Sequence, residues 1–143
     1  MNRVITRRRV VALLPAAVGV VALSGCAATR DNKRADDLRI TVLLYLQSLR
    51  WGNYTTAIAL LRRPDGTVPE TDVARLEGLR VTTFDFEIVG GAPGQLEASM
   101  TATLDYYWED QGKVRKIGQQ SRMWWDATLE QWFIDDVLPA FKR

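Results

Sequence analysis

The segment from Gln95 to Trp108 alternates between polar and apolar side chains, and this alternation constrains the fold more than any other feature of the sequence. Its apolar members are Leu96, Ala98, Met100, Ala102, Leu104, Tyr106 and Trp108. Because successive side chains of a strand point to opposite faces of a sheet, a period of two predicts a strand with one face in the core. At about 3.4 Å per residue the strand is ~45 Å long, so it has to bend or twist strongly.

Three further segments that we predict to be strands flank this one. They run from Arg80 to Val89, from Lys113 to Asp126 and from Gln131 to Val137. The turn-forming sequences Gly90–Gly94 and Glu109–Gly112 separate the first three strands. Short strands joined by such turns predict an antiparallel meander of about four strands.

The chain before these strands has helical periodicity from Asp36 onward. One apolar stripe has the spacing of a single helix side and consists of Leu38, Val42, Tyr45, Leu46 and Leu49. Ile40, Leu44 and Trp51 form a second stripe on roughly the opposite side. A helix with two apolar sides is either buried between layers or in contact with a partner. We expect burial within the fold.

Two shorter helices are predicted before the first strand. Gly52 ends the first helix, and Asn53 is a favourable N-cap for a helix over Tyr54–Leu61. A loop rich in proline and glycine follows, and a third short helix is predicted from Thr71 to Leu79.

Helices followed by antiparallel strands predict an α+β fold in which the helices cover one face of a strongly curved sheet. Two stretches carry a resemblance: "LRWGNYTTAIALLR" (49–62), where Gly-Asn and an aromatic residue separate two helices, and "MWWDATLEQWFIDDVLPAF" (123–141). With them, the layout is similar to the cone-shaped α+β roll of the nuclear transport factor two-like superfamily. The resemblance covers most of residues 36–143 and implies one cone-shaped domain.

The N-terminus has the pattern of an export signal. Residues 1–9 contain four arginines and no acid, and Val10–Leu23 is a run of fourteen uncharged residues. A membrane span needs ~20 apolar residues, so this run is too short to remain in a bilayer. Such a segment is typical of a signal that is later removed. Thr6–Val11 partly resembles the twin-arginine export motif, but we favour an ordinary basic region.

The signal ends in Leu23-Ser24-Gly25-Cys26, which contains the only cysteine of the chain. These residues resemble the lipobox of bacterial lipoproteins. The resemblance implies that Cys26 receives a diacylglyceryl thioether with acyl chains such as palmitate. It also implies that the Gly25–Cys26 bond is cleaved. We do not expect a buried structural cysteine, because Cys26 lies outside the predicted fold. We do not expect a nucleophile either, because the chain has no histidine to act as a base.

These patterns divide the chain into three parts. Residues 1–25 are predicted to be the signal peptide, and residues 26–35 an acylated N-terminus with a polar tether. Residues 36–143 are predicted to form the domain. Nine extended residues, 27–35, reach at most ~30 Å, which keeps the domain near the bilayer. Ala27 is not aspartate, so the lipoprotein sorting rule implies the periplasmic face of the outer membrane. In an organism with one membrane, it would be the outer face of the cell membrane.

Composition excludes several classes of function. The chain has 19 basic and 17 acidic residues, and four of the basic ones belong to the signal. The mature chain therefore carries a small negative net charge, which argues against a nucleic-acid partner. With no histidine, and with Cys26 acylated, neither a metal site nor a cofactor site is expected. The adjacent acids Asp36-Asp37 and Asp135-Asp136 do not change this expectation, because strand neighbours point apart.

The superfamily includes isomerase- and dehydratase-like enzymes, which implies an alternative function. An Asp base and a Tyr donor inside the cone would be needed, because the absence of histidine excludes a His–Asp dyad. Asp85, Glu87 and Asp105 fall on the polar strand faces, and Tyr106 lies on an apolar face with no carboxylate. No catalytic residue is therefore predicted.

Aromatic residues are the remaining candidates for a pocket or an interface. They are Trp51, Tyr106, Trp108, Trp124 and Trp125. Trp124 and Trp125 are neighbours on a strand, so we expect one of them on the surface away from the helices. Core packing is the alternative for each. Together, the patterns predict a membrane-anchored, non-enzymatic binding or scaffolding module. Its partner would be an envelope protein, a second copy or a small apolar ligand.

Overall fold

The computed structural model describes residues 24–143, so the predicted signal up to Leu23 lies outside the described part of the chain. Two α-helices, a short 3-10 helix and four strands follow one another: α1 (Ser24–Arg50), α2 (Tyr54–Ala59), the 3-10 helix (Val73–Leu76), β1 (Leu79–Gly90), β2 (Glu97–Trp108), β3 (Arg115–Asp126) and β4 (Gln131–Asp135).

The four strands form one antiparallel sheet in the order β1-β2-β3-β4. This is the meander that the alternating segments and their turns predicted, and the α+β class is confirmed: the long α1 helix packs on the sheet. The sheet is open, with β1 at one edge and β4 near the other. A register shift between Val81 and Thr83 interrupts the pairing of β1 with β2.

The core lies between α1 and one face of the sheet. The first predicted stripe of α1 is completely buried: Leu38, Val42, Tyr45, Leu46 and Leu49. It packs with the apolar face of β2, which is buried from Ala98 to Trp108 as the alternation predicted. Leu96 is the exception, since it precedes the strand and is exposed.

The second stripe of α1 is exposed, so the expectation of burial within the fold is wrong. Ile40 is 60% exposed, Leu44 44% and Trp51 78%. The reason is the layering: α1 packs on the sheet through one side only, and in the described residues no second layer covers its other side. Trp51 follows directly after the helix and extends the stripe.

Residues 26–35 are helical, which corrects the expectation of an extended tether and of a helix that begins at Asp36. Alanine, arginine and lysine, which are common in this segment, favour helix. Tertiary contacts add to this preference. The indole nitrogen of Trp132 donates a hydrogen bond to the Arg34 carbonyl at 2.8 Å, and the Arg34 guanidinium lies 5.0 Å from the Trp125 ring centroid.

The segments between α1 and the sheet differ in detail from the prediction. Asn53 occupies the N-cap position of α2, but its side chain makes no capping hydrogen bond. The predicted third helix is a single 3-10 turn, whose N-cap Asp72 accepts from the Ala74 amide. After α2 the chain pairs with β4: Ile134 N donates to Leu60 O at 2.9 Å, and Arg62 N donates to Ile134 O at 3.0 Å. This pairing covers the β4 edge, which would otherwise expose unpaired backbone groups.

Candidate functional site

Cys26 lies near the N-terminal end of α1 and is exposed as a free thiol. Thr29, Arg30 and Lys33, one and two turns further along the helix, line a shallow groove together with it. No described side chain covers the sulfur, so its chemistry is open to a modifying enzyme. The resemblance to a lipobox assigned Cys26 to lipidation, and its exposure is compatible with that role.

A buried polar network crosses the core between α1 and β3. The Tyr45 hydroxyl donates to the Gln119 amide oxygen at 3.0 Å. The Gln119 amide nitrogen donates to Asp136 Oδ2 and to the Val137 carbonyl, both at 3.1 Å. Ser121 Oγ donates to the same Asp136 oxygen at 2.5 Å. Because every polar atom of Gln119 has a partner, the network can lie in the core without an unpaired group.

Burial raises the pKa of Tyr45, and the negative charge of Asp136 acts in the same direction. The hydrogen bond with Gln119 opposes this shift but is a smaller effect. Tyr45 therefore stays protonated and acts as a hydrogen-bond donor, and it cannot serve as a base near neutral pH. The donors and acceptors of the network are already paired with one another.

This network was not predicted from the sequence. Tyr45 belongs to an apolar stripe of α1, and the apolar strand faces carry no carboxylate, whereas Asp136, just after β4, reaches the network from the end of the sheet. A usable signal was present in β3. Gln119 and Ser121 have the same parity as Ile117 and Met123, so the alternation places two polar residues on the core face.

We predict that Tyr45→Phe lowers the free energy of unfolding by about 1–3 kcal/mol, because the buried Gln119 oxygen loses its donor. Tyr107→Phe, on the opposite face of the sheet, is the matched control and should change stability much less. Urea unfolding of both variants at neutral pH measures the difference. Equal stability of the two variants would show that the Tyr45–Gln119 hydrogen bond contributes nothing net.

The same variant has a pH signature. An unfolded tyrosine ionises near pH ~10, whereas the folded core keeps Tyr45 protonated, so stability is fully present below pH ~10 and falls as pH rises above it. Burial also raises the pKa of Tyr54. Tyr45→Phe should therefore make the alkaline loss of stability shallower without removing it. Unfolding midpoints compared between neutral and alkaline pH test this; an unchanged slope would contradict it.

Tyr106 and Trp108 are buried, and the C-terminal segment covers them. The Trp108 indole nitrogen donates to the Lys142 carbonyl at 2.8 Å, and the Tyr106 hydroxyl donates to the same oxygen at 3.1 Å. Phe141 packs edge-on against Tyr106 with 5.0 Å between the ring centroids. The polar groups of both side chains are thus hydrogen-bonded within the chain, to the backbone of the C-terminal segment. Beside this segment lies an open groove of about 800 Å³, with Leu76, Trp108 and Leu138 among its lining residues.

Trp124 and Trp125 point to opposite faces of the sheet, but neither is fully exposed. The indole nitrogen of Trp124 donates to the Arg62 carbonyl at 2.8 Å, and its ring lies 5.5 Å from that of Phe133. Trp125 packs on Trp132 with 5.8 Å between the centroids. Trp124 lies on the face of the sheet away from α1, as expected for one of the two, but it is half-buried there because the loop after α2 packs against it. Trp51, on the helical side, is the exposed tryptophan.

The three predicted surface carboxylates lie on the polar side of the sheet. Asp85 and Glu87 are exposed. Asp105 is half-buried, accepts a hydrogen bond from the Thr83 hydroxyl at 3.0 Å and lies 3.7 Å from the Lys116 ammonium. Arg122 and Glu97 form a further ion pair on this face. These acids therefore belong to a solvated face, as the alternation predicted.

Comparison of the chain with protein-family models, with curated proteins and with solved structures gives no match. A proposal for the function of this chain therefore rests on its own residues and their geometry. Within residues 24–143, Cys26 and the acidic side chains form no group of three or more that could hold a metal ion. None of the helices in this range combines the length and the apolar character that a membrane crossing needs.

Proposed function

We propose that this chain is a bacterial lipoprotein, anchored to a membrane through Cys26, that acts as a non-enzymatic binding or scaffolding module of the cell envelope. The observation that carries the proposal is the position of Cys26. The only cysteine of the chain ends a basic and apolar leader in a lipobox-like sequence, and its thiol is exposed near the start of α1. We place the module on the periplasmic face of the outer membrane.

Two observations favour binding over catalysis. The Tyr45 hydroxyl is committed to Gln119, and the Tyr106 hydroxyl to the backbone of Lys142. Asp136 accepts hydrogen bonds from Gln119 and Ser121 within the same network. An Asp/Tyr-dependent isomerase or dehydratase needs such groups to face a substrate. Here they hold the core together.

The groove beside the C-terminal segment is our candidate for ligand or partner binding. Leu76 and Val137 are its more exposed apolar lining residues, whereas Asp72 and Arg75 are among its charged residues. That mixture suits a segment of an envelope protein or a small apolar ligand. A strongly curved, cone-shaped sheet like that of the nuclear transport factor two-like superfamily is also part of the proposal.

Mass spectrometry of the full-length protein, expressed in a Gram-negative host and extracted from its membranes, tests the anchor. The expected product begins at Cys26 and carries diacylglyceryl on the sulfur. A product with a free thiol, or one that retains residues 1–25, would contradict the proposal. Native mass spectrometry of the same preparation tests the groove, because a bound ligand or partner appears as a defined mass increment.

A further inference from the structure

The outer side of α1 carries an apolar stripe that no described part of the chain covers. We name Ile40, Leu44 and Trp51 the outer stripe; all three are exposed. The opposite side of the same helix is fully packed on the sheet. Solvent exposure of large apolar side chains is unfavourable, and a row of them along one helix side marks a contact surface. The remaining question is what covers it.

Cys26 lies on the same side of the helix as the outer stripe. With 3.6 residues per turn, positions 26, 33, 40, 44 and 51 all fall within a sector of about 40°. Val42, in the middle of the buried stripe, lies roughly 160° away from Cys26. Acyl chains attached to the exposed Cys26 sulfur would therefore leave the helix on the side that carries Ile40, Leu44 and Trp51.

Because α1 is long, an upright helix and a flat helix place the outer stripe at very different distances from the bilayer. Trp51 is 25 residues after Cys26, which at 1.5 Å per residue is about 38 Å along the helix. If α1 stands upright on its lipid anchor, Trp51 is far from the bilayer. If α1 lies flat, the whole outer stripe meets the lipid surface, where tryptophan and aliphatic side chains of interfacial helices bind.

The charges of α1 suit an anionic bilayer surface. Arg30 and Lys33 are exposed near Cys26, and the exposed Arg50 guanidinium lies 5.8 Å from the Trp51 ring centroid. Lys33 pairs with Asp37 at 2.8 Å. Over the whole helix, five basic residues stand against three acidic ones, although the mature chain as a whole is slightly acidic. Anionic headgroups attract such a helix.

We propose that α1 lies flat on the bilayer, with the outer stripe in the headgroup region and the sheet facing away from the membrane. This inference rests on the proposed lipid anchor at Cys26, which fixes one end of the helix to the lipid. The interface then consists of two acyl chains at one end and Trp51 at the other. The polar face of the sheet, which lies on the side away from α1, stays free for a partner.

Depth-dependent fluorescence quenching tests the orientation. Full-length lipidated protein is reconstituted in vesicles of phosphatidylethanolamine and phosphatidylglycerol in which the acyl chains are brominated near the headgroups. We expect part of the tryptophan emission to be quenched, and we expect that share to be lost in Trp51→Phe. Trp124→Phe is the matched control, because Trp124 lies on the other face of the sheet, and it should keep the quenched share.

Each alternative gives a different result. If mass spectrometry shows diacylglyceryl on Cys26 but the bromolipid quenches wild type and Trp51→Phe equally, α1 does not lie flat and this inference is overturned, while the anchor stands. If Cys26 carries no lipid, the proposed function fails first. A second copy on the outer stripe is a third outcome. Efficient crosslinking of Leu44→Cys between copies, with no quenching of Trp51, would overturn the bilayer contact in favour of a dimer.

Discussion

Replacing Cys26 with serine is expected to abolish lipid incorporation and to release the protein from the membrane. The thioether requires the sulfur, and a serine hydroxyl does not replace it. Each buried CH2 of an acyl chain contributes ~0.8 kcal/mol to membrane binding, and two chains are needed for stable anchoring. Loss of both should lower the ratio of membrane-bound to extractable protein on the order of a hundredfold or more.

Labelling with a fatty-acid analogue, followed by alkaline extraction of membranes, measures both effects. Ser24→Ala is the matched control, because it keeps a small residue in the lipobox-like sequence, and it should incorporate label as the wild type does. Label that persists in Cys26→Ser would show that the lipid is attached elsewhere. If neither the wild type nor Ser24→Ala incorporates label, the chain is not a lipoprotein.

Gly91→Ala is expected to be the most destabilising glycine substitution in the domain. Gly91 follows β1 with a φ of +70°, and an added Cβ would lie 2.1 Å from a methyl carbon of Leu38. Leu38 is buried against the sheet, so it has little room to move. The left-handed conformation costs an alanine ~1–2 kcal/mol, and overpacking adds about 1–3 kcal/mol. Together they remove a large part of the 5–15 kcal/mol that stabilises a typical domain.

Gly52 provides a matched control for the backbone contribution. It has the same φ of +70°, but an added Cβ meets nothing within 4 Å. Gly52→Ala should therefore cost only the conformational part, ~1–2 kcal/mol, and the difference between the two variants measures the clash with Leu38. Urea unfolding of both variants gives the two free energies. Equal losses would mean that Leu38 repacks freely, contrary to the tight α1–β1 junction that the structure shows.

The sequence predicted what depends on local periodicity. The strict alternation in β2 identified its core face residue by residue, and the turn-forming segments predicted the order of the meander. The first stripe of α1 was also identified correctly. These features are readable because side-chain direction in a helix or strand follows directly from position along the chain.

Distant contacts determined the rest. Whether Ile40, Leu44 and Trp51 are buried depends on how many layers surround α1. The apolar periodicity of a helix does not reveal that number. Trp124 is covered by a loop 62 residues earlier in the chain, and residues 26–35 are held as helix partly by Trp132 and Trp125. The Tyr45–Gln119–Asp136 network joins three separate segments. Such contacts form only when the chain folds. The sequence alone therefore predicted which side of an element is apolar, and the tertiary structure decided which sides are covered.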